Sequence, residues 1–167
     1  MFILPALFAF VLVVLVPAVK GFYYSFTDWN GIGKNAVFVG ISNYGKLLSD
    51  SRFWNSFLFT FVFAICSVIC INAVGFGLPL VAPAFAIGLF LSISDSFKMF
   101  DQNLSLTGGD PAKQSQLLAL NIYDTFYARS GPQWKGIGQA KAVVFFILVV
   151  AIALIQLKAT SSKEVQQ

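Results

Sequence analysis

Charged residues divide the chain unevenly, and the gaps between them set its organisation. Phe2 to Val19 is an uncharged run of 18 residues, which as a helix extends about 27 Å and nearly crosses a hydrocarbon layer of about 30 Å. The run has no basic residue before it and no small-x-small cleavage pattern before Lys20, so it is expected to be an uncleaved span rather than a secretory signal. Phe53 to Ser94 carries no charge over 42 residues. One helix of that length would be about 63 Å long, twice the bilayer core, so the run must fold back. The break falls at Gly75-Phe76-Gly77-Leu78-Pro79, where glycine and proline interrupt helical periodicity, and predicts helices over Phe53 to Val74 and Leu80 to Phe100. The last run, Ala142 to Leu157, has 16 uncharged residues between Lys141 and Lys158, about 24 Å of helix that the two lysines can extend by snorkelling. The pattern predicts an all-α integral membrane bundle of about four transmembrane helices. Two polar loops lie on one side, and the termini and tight hairpin on the other.

The polar stretches have texture of their own. The first contains FYYSFTDWNG from Phe22 to Gly31, whose Tyr and Trp suit the headgroup level as an aromatic belt and whose Asn30-Gly31 suits a turn. The second contains the turn Thr107-Gly108-Gly109-Asp110-Pro111. It continues as an amphipathic stretch, Gln116 to Tyr127, with Leu117, Leu120, Tyr123 and Tyr127 beside Leu118, Ile122 and Phe126 at helical spacing. That stretch is expected to lie along the membrane surface or to pack on neighbouring helices.

Composition sharpens the picture. Hydrophobic residues make up 57% of the 167 and charged residues 11%, against about 25% charged in soluble domains, so lipid must solvate much of the chain. There is no His, and Glu164 is the single glutamate. The two cysteines, Cys66 and Cys70, sit one helical turn apart with no second pair for zinc, and are expected to be packed and inert. No catalytic, metal or cofactor residue is indicated. The net charge of +4 comes from basic residues dispersed among acidic ones, which points away from nucleic acid. Gly136-Ile137-Gly138 lacks the lysine and hydroxyl of a phosphate loop.

The order FILPALFAFVLVVLVPAVKGFYYSFTDWNG, FVGISNYGKLL and RFWNSFLFTFVF resembles the first spans and external loop of maltose-type sugar permeases, the inner-membrane subunits of bacterial ABC importers. LPLVAPAFAIGLFLSISDSFKMFDQNLSLTGGDP resembles that family's penultimate span and following loop, and LALNIYDTFY with GIGQAKAVVFFILVVAIALIQL its run into the last span. The whole chain, 1–167, reads as one membrane domain in which 1–77 match the N-terminal spans and 78–167 the last two. One departure stands out. The family has two further spans and a cytoplasmic loop beginning Glu-Ala-Ala before its penultimate span, whereas here Gly77 runs directly into Leu78-Pro79, and the single glutamate, Glu164, leaves no place for that motif.

The resemblance implies a multi-pass protein of the bacterial inner membrane, not an enzyme. It would form part of a carbohydrate pathway by alternating access. Its partners would be a second permease, cytoplasmic ATPase subunits that carry the ATP, an extracellular sugar-binding protein and the lipid bilayer. The missing coupling loop leaves an alternative, a truncated, uncoupled membrane protein of permease origin. An integral-membrane enzyme would need clustered ionisable groups in the spans, and only Asp95 and Asp101 come near that. The family topology turns nine of the eleven basic residues outward, the reverse of the positive-inside pattern. Pathway candidates are the polar residues at membrane depth or at the mouth: Asn72, Ser94, Asp95, Asp101, Gln102 and Asn103. Interhelical hydrogen bonding is the alternative role for Asn72 and Ser94, and loop structure for the Phe100-Asp101-Gln102-Asn103 group.

Overall fold

A computed structural model of the chain describes residues 3–33, 36–75, 91–92, 95–97 and 99–164, without the side chains of 72, 74, 75 and 159–164. The described residues are helical with no strand, apart from an isolated antiparallel bridge between Thr27 and Phe38. Among the described residues, three helices are long and apolar enough to cross a membrane: Ile3–Tyr24, Ser51–Ile71 and Gln133–Lys158. The expected Gly75–Pro79 break past Gly75, the Gly77–Leu78 junction and most of the Leu80 to Phe100 span fall outside the described residues.

Helix α1, Ile3–Tyr24, is α-helical over Ile3–Phe10 and Val16–Tyr24 and widens to a π-turn over Val11–Leu15. The short helix α2, Ser42–Leu48, follows the first loop. Helix α3, Ser51–Gly75, starts at Asp50, whose carboxylate accepts the Arg52 N–H at 3.1 Å and so satisfies one of the orphan donors of the first turn. Helix α4, Phe100–Leu106, ends at Gly108, which takes the left-handed conformation (φ +56°) and donates its N–H to the Asn103 carbonyl. Helix α5, Leu118–Tyr123, runs into a second π-turn, Asp124–Ala128. Helix α6, Gln133–Glu164, begins directly after Pro132, a residue suited to a helix start.

The chain forms two compact units. Met1–Ser49 with Ile122–Val143 make the first, and Asp50–Asn121 with Val144–Gln167 the second. In the first, Asn43 donates both amide hydrogens, to the carbonyls of Ser25 at 2.9 Å and Thr27 at 2.7 Å. Ser25 donates to the Phe22 carbonyl and shares a 2.8 Å contact with the Tyr44 hydroxyl. Ser25, Thr27 and Asn43 are all buried, so this small polar core is closed by its own hydrogen bonds. Gly136 of α6 packs against it so closely that a Cβ there would lie 2.5 Å from the Thr27 carbonyl and 2.7 Å from Asn43 Nδ2. Glycine is therefore used here for close packing.

The second unit is built on α3. The Thr60 hydroxyl donates to the Ser56 carbonyl at 2.6 Å and accepts the Leu118 N–H at 2.8 Å, which seats the start of α5 on the helix. Leu117, Leu118 and Leu120 are buried there. The amphipathic stretch thus packs through its leucines, while Tyr123 and Tyr127 remain exposed.

Two expectations are corrected. Lys141 was placed at the boundary of the last span, in a solvated loop. Instead α6 begins at Gln133, and Lys141 is fully buried with its ammonium donating to the Thr125 hydroxyl at 2.8 Å. An uncharged run ends at any lysine, but a helix continues through one whose charge finds a partner. Cys66 and Cys70 are exposed rather than packed, on a span that also exposes Leu58, Val62, Ile65 and Ile69. Small apolar side chains facing hydrocarbon need no protein core around them.

Replacing Gly136 by Ala should destabilise the protein by about 1–3 kcal/mol through overpacking against backbone. Gly45→Ala, in the interior of α2 with open space at its Cβ position, should leave stability unchanged or slightly raised. Thermal unfolding of both variants in detergent checks the contrast.

Candidate functional site

Three of the six polar candidates, Asp101, Gln102 and Asn103, lie in the first turn of α4. Asp101 and Gln102 are exposed and Asn103 is buried. Asn103 is committed to the loop: its Nδ2 donates to Thr107 Oγ1 at 3.0 Å and to the Ser115 carbonyl at 2.8 Å, and its Oδ1 accepts the Leu117 N–H at 2.8 Å. The Thr107 hydroxyl donates to the Asn103 carbonyl and accepts the Gly109 N–H. The Ser115 hydroxyl donates to the Asp110 carbonyl. The Thr-Gly-Gly-Asp-Pro turn is therefore folded onto α4 by Asn103, one of the sequence candidates, with Thr107, the first residue of the turn, and Ser115, which no sequence pattern marks.

A pocket of about 140 Å³ opens beside this loop, lined by Phe59 and Phe63 of α3, by Met99, Leu106 and Leu117, and by Gln102, Asn103, Thr107 and Ser115. Its walls are mostly apolar. Because Asn103, Thr107 and Ser115 are already engaged, Gln102 is the lining side chain whose amide makes no hydrogen bond among the described residues. Asp95 is exposed, at a short helical stretch where Ser96 and Phe97 are buried. There the Phe97 ring meets Phe61 edge-on at 5.4 Å. Asn72 falls in the last turn of α3, its side chain outside the described set, and Ser94 lies outside the described residues. The structure thus brings Gln102 and Asn103 to one pocket, with Asp101 directly before them in sequence and not part of its lining.

The first unit carries an aromatic cluster. Tyr24 and Trp29 stack at 4.1 Å, and Trp29 lies 6.4 Å from Phe126. Lys135 donates to the Phe126 carbonyl and sits over the Phe126 ring at 4.7 Å, while Arg129 covers Trp134 at 4.4 Å. The two basic residues make cation–π contacts with Phe126 and Trp134, and Tyr24 and Trp29 of the expected belt join the same cluster through Phe126. Among the described residues no cluster of His, Cys, Asp or Glu is placed to hold a metal.

Long apolar helices with polar, hydrogen-bonded loops define a multi-pass membrane protein. The chain is similar to the permease subunits of sugar ABC transporters. It is similar to the probable starch degradation products transport system permease protein AmyD of Thermoanaerobacterium thermosulfurigenes, at 29% identity over 99% of this chain and 94% of that protein. It is also similar to the trehalose/maltose transport system permease MalF of Thermococcus litoralis, at 34% over 48% of this chain and 26% of the relative. The multiple sugar-binding transport system permease MsmF of Streptococcus mutans matches at 40% over 32% of this chain and 18% of its own length. No protein-family profile matches the chain. The alignment with AmyD runs over 280 positions, so at least 113 of them (280 less 167) have no residue of this chain opposite.

Asn103→Leu should cost about 1–3 kcal/mol, because it strands the buried Leu117 N–H and the Ser115 carbonyl. Gln102→Ala, one residue away and exposed, should stay within about 0.5 kcal/mol of the parent. Chemical unfolding of the two variants side by side checks this division between loop closure and free polar surface.

Proposed function

We propose that the chain is the transmembrane permease subunit of an ATP-driven carbohydrate importer in the cytoplasmic membrane, forming part of the substrate pathway by alternating access. The observation that carries this reading is the match to a starch-product permease over 99% of the chain, joined to three helices long enough to span the bilayer. The subunit does no covalent chemistry. It offers polar groups to a passing sugar, and ATP is bound and hydrolysed on separate subunits. Gln102 is the favoured contact in the α4 loop, with Asp101 and Asp95 exposed nearby in sequence. Asn103 acts by holding the Thr107–Leu117 loop against α4, the helix that carries Asp101 and Gln102. Asn72 and Ser94 complete the pathway set. A second permease, a cytoplasmic ATPase and an extracellular sugar-binding protein are the proposed partners.

A second reading is favoured by a specific observation. At least 113 aligned positions of AmyD have no counterpart here, and the single glutamate, Glu164, excludes a Glu-Ala-Ala coupling motif from these 167 residues. On this reading the chain is a membrane protein of permease origin that no longer couples to an ATPase.

Affinity purification of the tagged chain in a gentle detergent, from cells that also produce the other importer subunits, separates the two. The importer reading predicts that the second permease and the ATPase are both retained, with sugar-stimulated ATP hydrolysis. Retention of the second permease without the ATPase identifies the uncoupled form, and loss of both overturns the permease assignment.

A further inference from the structure

The two π-turns of this chain are held very differently. In Asp124–Ala128 the widened turn is pinned from α6: Lys135 donates to the Phe126 carbonyl, Lys141 donates to the Thr125 hydroxyl, and a Cβ on Gly138 would lie 3.2 Å from the Phe126 Cβ. In Val11–Leu15 no residue is buried. The cause of this turn is local. Pro17 has no N–H, so the Val13 carbonyl loses its α-helical donor, and the proline ring crowds the same carbonyl. Widening to an i→i+5 pattern, seen in the Val16 N–H bonded to the Val11 carbonyl, is the adjustment by which a membrane helix re-satisfies groups freed by proline.

The pieces on either side of this turn also differ in anchorage. Towards the loops, α1 is tied down. Gly21 lies against Gln139, where a Cβ would come within 2.9 Å of Oε1, Tyr24 stacks on Trp29, and Ser25 is fully buried. Neither Ile3–Phe10 nor Val16–Tyr24 has a buried residue, and the contacts just given all fall on the Val16–Tyr24 side of the turn. We propose that α1 is a two-piece span hinged at Val11–Pro17, its Val16–Tyr24 piece moving with the loop unit and its Ile3–Phe10 piece free to change direction. This is a conformational device of the chain itself and does not depend on the transport assignment. In a permease it would let one end of a span follow a gate while the other stays docked.

Spin labels at Ile3 and Lys20, in a chain with Cys66→Ala and Cys70→Ala, report on the hinge by pulsed electron-electron double resonance in lipid nanodiscs. The 17-residue separation is about 26 Å along a helix, and Arg52 with Ile69, at the same spacing on α3, is the matched reference. The 3/20 pair should give a distance distribution about twice as broad as the reference pair, and Pro17→Ala should narrow it to the reference width. Equal widths for the two pairs in the parent, or a 3/20 distribution unchanged by Pro17→Ala, would overturn the proposal. Circular dichroism of Pro17→Ala confirms that the variant keeps its helix content. Should it fail to fold, the parent comparison between the two label pairs decides alone.

Discussion

Backbone groups that leave a helix at the edge of a membrane must find partners at once, and in this chain two asparagine side chains supply them. Each unit has one. Asn43 gathers the carbonyls of Ser25 and Thr27 where α1 gives way to the first loop. Asn103 takes the Ser115 carbonyl and the Leu117 N–H where α4 gives way to the second. An unsatisfied backbone group next to hydrocarbon costs several kcal/mol, more than any one surface contact in these loops returns. Much of the remaining packing rests on those closures. Gly136 approaches the Thr27 carbonyl closely because Asn43 fixes that carbonyl. Leu118 reaches Thr60 directly after the segment that Asn103 holds at Leu117.

The spans were legible because lipid solvation imposes a crude rule, a sufficient uncharged length, that Ile3–Tyr24, Ser51–Ile71 and Gln133–Lys158 satisfy. The same rule misplaced the start of the last helix. Lys141 ended the uncharged run in sequence, yet Thr125 receives its ammonium inside the first unit, a pairing between residues 16 apart that periodicity does not encode. The cysteines misled for a related reason. Burial statistics come from proteins in water, and Cys66 and Cys70 lie exposed on a helix long and apolar enough to cross a membrane.

The candidate site was legible as a polar cluster after the last uncharged half-run, but its division of labour was not. Sequence treats Asp101, Gln102 and Asn103 alike, three polar residues just past the end of an expected span. The structure separates them, because the α4 turn points the Asn103 amide into the Thr107–Leu117 loop and leaves Asp101 and Gln102 outside it. Residues that close a loop and residues that meet a substrate share a chemistry, and only their partners distinguish them. The same holds for the glycines Gly136 and Gly138, whose use is set by what α6 approaches.

Hydrogen–deuterium exchange resolved to single amides, in nanodiscs, tests the central claim most directly. The Leu117 and Leu118 N–H groups lie outside or at the first residue of a helix, so their protection depends on the Asn103 and Thr60 side chains. The account predicts that both exchange as slowly as amides in the middle of α3, and that the Leu117 amide becomes fast in Asn103→Leu. Exchange of Leu117 and Leu118 as fast as that of the amide of exposed Gly33 in the parent protein would contradict it.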